Sequence, residues 1–363
     1  MRTGIANLPL HFGDAPPWLF KRMKRLGKGI SEAIIDEHGP VVLLERVSDP
    51  YWFQAFSCVL GFDWHSSGTT TVTCGVLKET LSKEMGVVAL GGKGRTSKKT
   101  PEEIDAIGGA WGLSEAKTTH LKYASRMAAK VDNCLVQDGY QLYHHSFLLT
   151  EKGDWAVIQQ GMNPENRYAR RYHWLDREVE SFVEEPQKGI CCDEKRERVL
   201  NLVAKESREA RKASVDLVKE HPKKTIKYFI ASKPTDFQKT LNDFDEITFP
   251  RAHGFNKRIY ESLLQAYEIQ PQNYEELVSL KGVGPKTIRA LALVSELVYG
   301  AAPSWRDPVK YSFAHGGKDG IPYPVDRTGM DETTEILKNA IADAKIGKKE
   351  KLEAIRHLIE FVG

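Results

Sequence analysis

The stretch YQLYHHSFLLTEKGDWAVIQQGM, residues 140–162, combines two runs of alternating residues with a short turn between them. The runs 140–149 and 154–162 are rich in aromatic and aliphatic residues, and the turn segment TEKGD contains a glycine. Alternate side chains of an extended strand point to opposite faces. One face of the first strand would carry Leu142, His144, Ser146 and Leu148, and the other Tyr143, His145, Phe147 and Leu149. This pattern predicts a β-hairpin.

The rest of the chain divides into three regions of different character. Apolar residues at helical spacing predict helices over residues 16–39 and 69–84, so residues 1–185 are expected to form an α+β domain with a polar and basic face. Residues 190–235 are strongly charged and predict a long connecting helix. Residues 236–363 are expected to form a helical domain. The predicted fold class is therefore α+β.

The composition bounds the class of protein. With 41% hydrophobic and 28% charged residues, the chain resembles an ordinary globular protein. No apolar run is long enough to span a membrane, and the polar N-terminus does not resemble a signal peptide. We therefore expect a cytoplasmic protein without a membrane partner, whose oligomeric state the sequence does not indicate.

The cysteines and the net charge exclude two simple assignments. The five cysteines are scattered and form no CxxC pair, so neither a structural zinc site nor a disulfide framework is expected. The net charge of +3 is too small to indicate nucleic-acid binding by itself. No cofactor is firmly implied, and a divalent metal enters only under one alternative below.

The stretch LKGVGPKTIRALALVSELVYG, residues 280–300, predicts two helices joined by a tight turn. Asn273 can cap a first helix over 274–280. The segment Gly282-Val283-Gly284 suits a sharp reversal, and Pro285 suits the first position of a second helix. The free N–H groups at such a helix start, together with the helix dipole, favour an anion.

This turn resembles the helix-hairpin-helix motif of DNA-repair proteins. The resemblance covers residues 280–300 and implies contact with the DNA backbone without reading of the base sequence. The residues expected to bind DNA at this turn are Lys281, Gly282, Gly284, Lys286 and Thr287. In one branch, the bifunctional DNA glycosylases, the matching lysine is the nucleophile that attacks the sugar and forms a Schiff base.

The resemblance leaves the role of Lys286 open between phosphate binding and catalysis. A catalytic aspartate would follow the hairpin, and two are available. Asp326 lies in Pro-Val-Asp, which matches the local glycosylase pattern, whereas Asp307 lies at the better spacing. The intervening loop also contains His315 and Lys318, and we expect Lys318 to contact DNA.

A second set of polar and basic residues lies in the first 180 residues. Basic residues interleaved with aromatic ones suit contact with nucleic acid, so Lys93, Arg95, Arg170 and Arg171 are expected to bind DNA. The other candidates for a polar site are Asp63, His65, Ser66, Ser67, Asp132, Asp138, His144, His145, Gln159, Gln160 and His173. Several of these are ligand types that a hydrolytic divalent metal prefers, although no spacing fixes their geometry.

The whole chain also resembles an uncharacterised family of archaeal and bacterial proteins, catalogued as a domain of unknown function. The segments that carry this resemblance include DPYWFQAF, DGYQLYHH, WAVIQQGMN and ARRYHW. It implies a prokaryotic protein and supplies no activity.

Three functions are consistent with these patterns. The first is a DNA-processing or repair enzyme, in its sharper form a glycosylase or abasic-site lyase that uses Lys286 with Asp326 or Asp307. The second is a metal-dependent nuclease with Asp63, His65 and Asp132 or Asp138 as ligands. The third is a non-catalytic DNA-binding adaptor. The lesion and the preference for single or double strands are not indicated.

Overall fold

The computed structural model of the chain describes residues 17–62, 68–165, 168–192, 194–225, 257–310 and 327–362. These residues combine many helices with a small antiparallel sheet, which is consistent with the predicted α+β class. No described helix has the length and apolarity needed to cross a membrane.

The described α-helices have the following bounds: α1 Pro17–His38, α2 Pro40–Ser48, α3 Pro50–Val59, α4 Gly68–Thr80, α5 Thr100–Trp111, α6 Glu115–Cys134, α7 Arg208–Lys219, α8 Lys257–Ile269, α9 Tyr274–Ser279, α10 Pro285–Tyr299, α11 Arg327–Asp343 and α12 Lys348–Val362. The strands are β1 Val87–Lys93, β2 Val136–Gln137, β3 Gln141–Thr150, β4 Trp155–Met162, β5 Ala169–Leu175, β6 Gly189–Cys191 and β7 Leu200–Asn201. The main sheet has the order β1-β3-β4-β5-β6, and every pairing in it is antiparallel.

The predicted hairpin is confirmed as β3 and β4 at the centre of this sheet. Its turn is closed by the Asp154 carboxylate, which accepts a hydrogen bond from the Thr150 hydroxyl at 2.9 Å. Gly153 supplies the positive φ of +86° that the turn requires. Phe147 and Leu149 enter one hydrophobic core and Leu148 enters the other, so the predicted alternation holds over this part of β3.

Helices cover both faces of the sheet. On one face, α1 to α4 pack with α11 and α12 around Leu148, Ala156 and Ile158. On the other, α6, α7 and α8 to α10 pack around Phe147, Val157 and Trp174. The helices of residues 257–300 therefore share one core with the sheet.

The predicted long helix over the charged region is wrong. Residues 199–204 are all buried, and β7 pairs there with β2, while the described helix α7 spans only Arg208–Lys219. A helix at the surface of a protein buries one face only, whereas this run buries six consecutive residues. The charged residues on either side of 199–204 made this buried segment resemble part of an exposed helix.

A buried ion pair joins the chain after α10 to the sheet. The Arg170 guanidinium on β5 donates to both carboxylate oxygens of Asp307, at 3.0 and 2.8 Å, and to Asp138 at 2.9 Å. All three side chains are at most 1% exposed. Because a charge in such surroundings is tolerated only with its partners, Arg170 holds residues 304–310 against the sheet.

We predict that Arg170→Ala lowers the free energy of unfolding by about 3–5 kcal/mol, because it leaves two carboxylates buried without their cation. Urea denaturation followed by circular dichroism measures this loss. Arg177→Ala is the control: Arg177 pairs with Glu45 and Asp154, but its side chain is 51% exposed. Its loss should be far smaller because solvent screens exposed pairs. Equal losses for the two variants would contradict this role of Arg170.

Candidate functional site

The turn between α9 and α10 has the geometry that the sequence predicts. The Asn273 side chain caps α9 by accepting a hydrogen bond from the Glu276 amide at 2.8 Å. Gly282 has a φ of +90°, a conformation that other residues rarely adopt. Val283 is buried between the helices, and Pro285 is the first residue of α10. The chain thus reverses direction within a few residues.

The tip of this turn presents hydrogen-bond donors to solvent. Among the described residues, the backbone amides of Gly284, Lys286 and Thr287 have no acceptor. Lys281 and Lys286 are both exposed beside them. Thr287, in contrast, is buried, and its hydroxyl is bonded to the Ser262 hydroxyl at 2.9 Å, so its side chain is not available to a ligand. These features together form an exposed, positively charged anion site.

Two side chains of the sheet domain hold the turn in place. The Lys130 amine on α6 donates to the Leu280 carbonyl oxygen. The Gln137 amide donates to the Pro285 carbonyl oxygen at 2.8 Å. The turn is therefore docked against the end of α6 at the point where the chain approaches β3.

Of the two aspartates predicted as catalytic partners of Lys286, the structure describes only Asp307. Asp307 is buried, and besides Arg170 it accepts from the backbone amides of Arg196 at 2.8 Å and Val309 at 3.0 Å. These contacts give Asp307 a structural role. Within the described ranges, Lys286 forms no ion pair with a carboxylate. The other candidate, Asp326, lies outside the described residues.

The prediction that Arg170 and Arg171 bind DNA is wrong. Both side chains are fully buried, so neither can reach a phosphate of DNA. The Arg171 guanidinium donates to His173 Nε2 at 2.8 Å and to Gln54 Oε1 at 3.3 Å, and it lies over the Phe53 ring. Both arginines lie on a strand that helices cover on each face, which the sequence pattern did not reveal.

Asp132, Gln159 and His145 form one buried chain of hydrogen bonds. The Asp132 carboxylate accepts from the amides of Gln159 at 2.5 Å and Gln187 at 2.6 Å and from the Trp174 indole at 2.9 Å. The Gln159 oxygen therefore accepts from His145 Nδ1 at 2.9 Å, and His145 Nε2 accepts from the Ser125 hydroxyl at 2.9 Å. Because each group is satisfied within the protein, this chain stabilises the contact between α6 and the sheet.

The described acidic residues do not form a metal site. Asp138 is bonded to Arg170 and to the Tyr172 hydroxyl, and Asp132 is bonded as above. No three His, Cys, Asp or Glu side chains of the described residues are placed to hold one metal ion. The remaining candidates Asp63, His65, Ser66, Ser67, His315 and Lys318 lie outside the described residues.

A β-bulge changes the faces at the start of β3. The register between β3 and β4 shifts between Leu142 and His144, and the Gln160 amide donates to the Tyr143 hydroxyl. Tyr143 and His144 therefore both point to the face that carries Gln160, whereas strict alternation predicted opposite faces. Bulges are common beside active sites because they redirect a side chain.

His144 is a buried side chain of this sheet in which both polar atoms lack a partner among the described residues. It is 2% exposed, and neither ring nitrogen has a hydrogen-bond partner among the described residues. Burial, with smaller contributions from His145 and Lys93, lowers the pKa of His144 to about 3, so its ring is neutral at physiological pH. In the sequence, His144 is only one of many polar residues that suit a functional site.

The described surface has two other features of interest. The loop that follows β1 exposes Lys93, Arg95, Lys98 and Lys99. A cleft of about 550 Å³ lies between α7 and the start of α9, and its lining includes Arg211 and Tyr274. This cleft lies at the end of α9 opposite the turn, so it does not belong to the anion site described above.

Comparison with known proteins identifies a family without assigning an activity. A family model described as "Protein of unknown function (DUF763)" matches residues 4–325. No curated protein and no solved structure matches the chain.

The pKa of Asp132 makes a prediction about stability and pH. Burial raises this pKa to about 7, above the usual value of about 3.9. The folded protein then holds the proton more tightly than the unfolded chain, so Asp132 lowers stability as the pH rises from about 4 to about 7. We expect the free energy of unfolding of the wild type, minus that of Asp132→Asn, to fall over this range and to level off above it.

Urea titrations of both proteins at several pH values measure this difference. If the wild type instead gains stability relative to Asp132→Asn as the pH rises, the three N–H donors hold the Asp132 carboxylate ionised.

Proposed function

We propose that this chain, which belongs to the DUF763 family of proteins of unknown function, binds DNA through the phosphate backbone. The observation that carries the proposal is the exposed turn, where three backbone amides without an acceptor in the described part of the chain lie beside Lys281 and Lys286. Amides at a helix start and flexible lysines both bind phosphate. Neither reads base identity, so little sequence specificity is expected.

The similarity of residues 280–300 to the helix-hairpin-helix motif supports DNA as the ligand. The two helices, the positive φ of Gly282 and the proline at the start of α10 agree with that motif. The buried Val283 leaves the tip itself at the surface. A nucleic-acid strand could therefore approach without any rearrangement of the core.

The basic loop after β1 supports a second contact with the same strand. Lys93 ends β1 and pairs with His144 near the start of β3. Gln137, which contacts Pro285 of the turn, lies four residues before β3. The basic loop and the turn are thus at the same end of the sheet, and Lys93 and Arg95 face solvent there.

Within this proposal the chain acts in DNA processing or repair in the cytoplasm, and Lys286 binds phosphate. The exposed amine, which forms no ion pair with a carboxylate of the described ranges, favours this role over catalysis. The glycosylase or lyase version depends on Asp326, and the nuclease version depends on Asp63 and His65. A non-catalytic adaptor would use the same turn.

We predict that replacing both Lys281 and Lys286 with alanine weakens DNA binding to all sequences alike. Log K falls with log salt concentration, and each lost phosphate contact makes this slope shallower by about 0.9. The slope should therefore become shallower by about 2. Fluorescence anisotropy with a labelled duplex at several salt concentrations measures it. The double variant Lys348→Ala, Lys349→Ala is the charge-matched control. Both lysines are exposed on α12, which packs in the other hydrophobic core. An unchanged slope for the Lys281 and Lys286 variant would refute the proposed contact.

We also predict that Lys286→Arg keeps DNA affinity within about twofold of the wild type, because arginine supplies the same charge to a phosphate. Borohydride should then trap no adduct between the wild type and abasic DNA. A trapped adduct that Lys286→Arg abolishes would show that Lys286 is a nucleophile. Cleavage that EDTA inhibits, without any adduct, would favour the nuclease version.

A further inference from the structure

Three hydrogen-bond donors that have no acceptor among the described residues lie at the end of the sheet where β1 ends and β3 begins. The Tyr143 oxygen accepts from the Gln160 amide, which leaves the Tyr143 hydrogen free to donate. His144 carries one ring N–H, and neither of its nitrogens has a partner. Lys93 is exposed and forms no ion pair within the described part of the chain.

The strand pairing places these groups on one face. Lys93 pairs with His144 across β1 and β3, and His144 pairs with Gln160 across β3 and β4. Residues paired across antiparallel strands point to the same face. The bulge adds Tyr143 to that face. Without the bulge, Tyr143 would point to the opposite side of the sheet.

The burial of these groups forms a gradient from solvent to the interior. Lys93 is exposed, Tyr143 is partly buried, and His144 is 2% exposed. Both His144 nitrogens are closed to solvent, so a ligand that reaches them must displace the side chains that cover them. Leaving a buried donor unpaired costs about 1–3 kcal/mol, which a bound acceptor would recover.

The charges in this place select the kind of acceptor. Lys93 acts electrostatically on His144. Arg171 on β5 pairs with Gln160 on β4, which in turn pairs with His144 on β3. Cations in partly desolvated surroundings attract an anion with several acceptor oxygens. A phosphate group has this chemistry.

We propose that Lys93, Tyr143 and His144 form a binding site for a phosphate group. The phosphate would accept hydrogen bonds from the lysine amine, the tyrosine hydroxyl and the imidazole N–H. This site is separate from the turn at residues 281–287 and does not depend on the DNA-binding proposal. The phosphate could be carried by the end of a DNA strand or be free in solution.

Titration calorimetry of the full chain with inorganic phosphate, in chloride buffer at constant ionic strength, tests the site. Tyr143→Phe and Lys93→Ala should each raise Kd by about tenfold, the equivalent of one hydrogen bond to a charged group. His144→Gln should raise it at least as much. Lys83→Ala is the control for Lys93→Ala, because Lys83 is exposed at the opposite end of β1.

Tyr143→Phe keeps the test valid if His144→Gln does not fold, because Tyr143 is only partly buried and the substitution removes only a hydroxyl. Phosphate binding that is absent from the wild type at millimolar concentration would overturn the proposal. Binding that Lys286→Ala removes, while Tyr143→Phe and Lys93→Ala leave it intact, would also overturn it by assigning the phosphate to the turn.

Two short oligonucleotides distinguish the sources of the phosphate. One carries a 5′-phosphate and the other a 5′-hydroxyl, and both are tested in the Lys281→Ala, Lys286→Ala background. Competition with inorganic phosphate by the first alone would assign the site to a DNA end. Competition by neither, with inorganic phosphate still bound, would assign it to free phosphate.

Discussion

Coverage of the sheet on both faces is the constraint on which the rest of this structure depends. A polar side chain on an open sheet can be solvated, but here it must find its partner inside the protein. Asp132 meets this requirement with three N–H donors, and Arg170 meets it with two carboxylates. His144 meets it with neither ring nitrogen among the described residues, whereas Arg170 and His173 each leave one nitrogen without a partner.

The same constraint separates two kinds of basic residue. Arginines on the covered strand serve to join elements, as Arg170 does with residues 304–310. Lysines at the turn and in the segment that follows β1 are exposed instead. Their charge is therefore available to an external anion, although all of these residues look alike in composition.

Local patterns in the sequence predicted local structure well. The hairpin of β3 and β4, the Asn273 cap and the reversal at Gly282 depend on residues close together in the chain, so spacing was sufficient to find them. The burial of Arg171 depends on α3, which approaches from more than a hundred residues away. The bulge at Tyr143 depends on the register with β4, and alternation alone could not place it. Tertiary contacts also overrode the charge pattern that predicted a long helix near residue 200.

The attachment of α10 at both ends has a consequence for molecular recognition. At the start of α10, the Gln137 side chain donates a hydrogen bond to the Pro285 carbonyl oxygen. Beyond the end of α10, the backbone amide of Asn201 donates to the Ser304 carbonyl oxygen at 2.8 Å, and Arg170 pairs with Asp307. A helix anchored in this way arrives at a ligand already oriented, so little conformational freedom remains to be lost on association. Under the proposed DNA binding, this anchoring fixes the position of the glycine reversal relative to the sheet before a strand arrives.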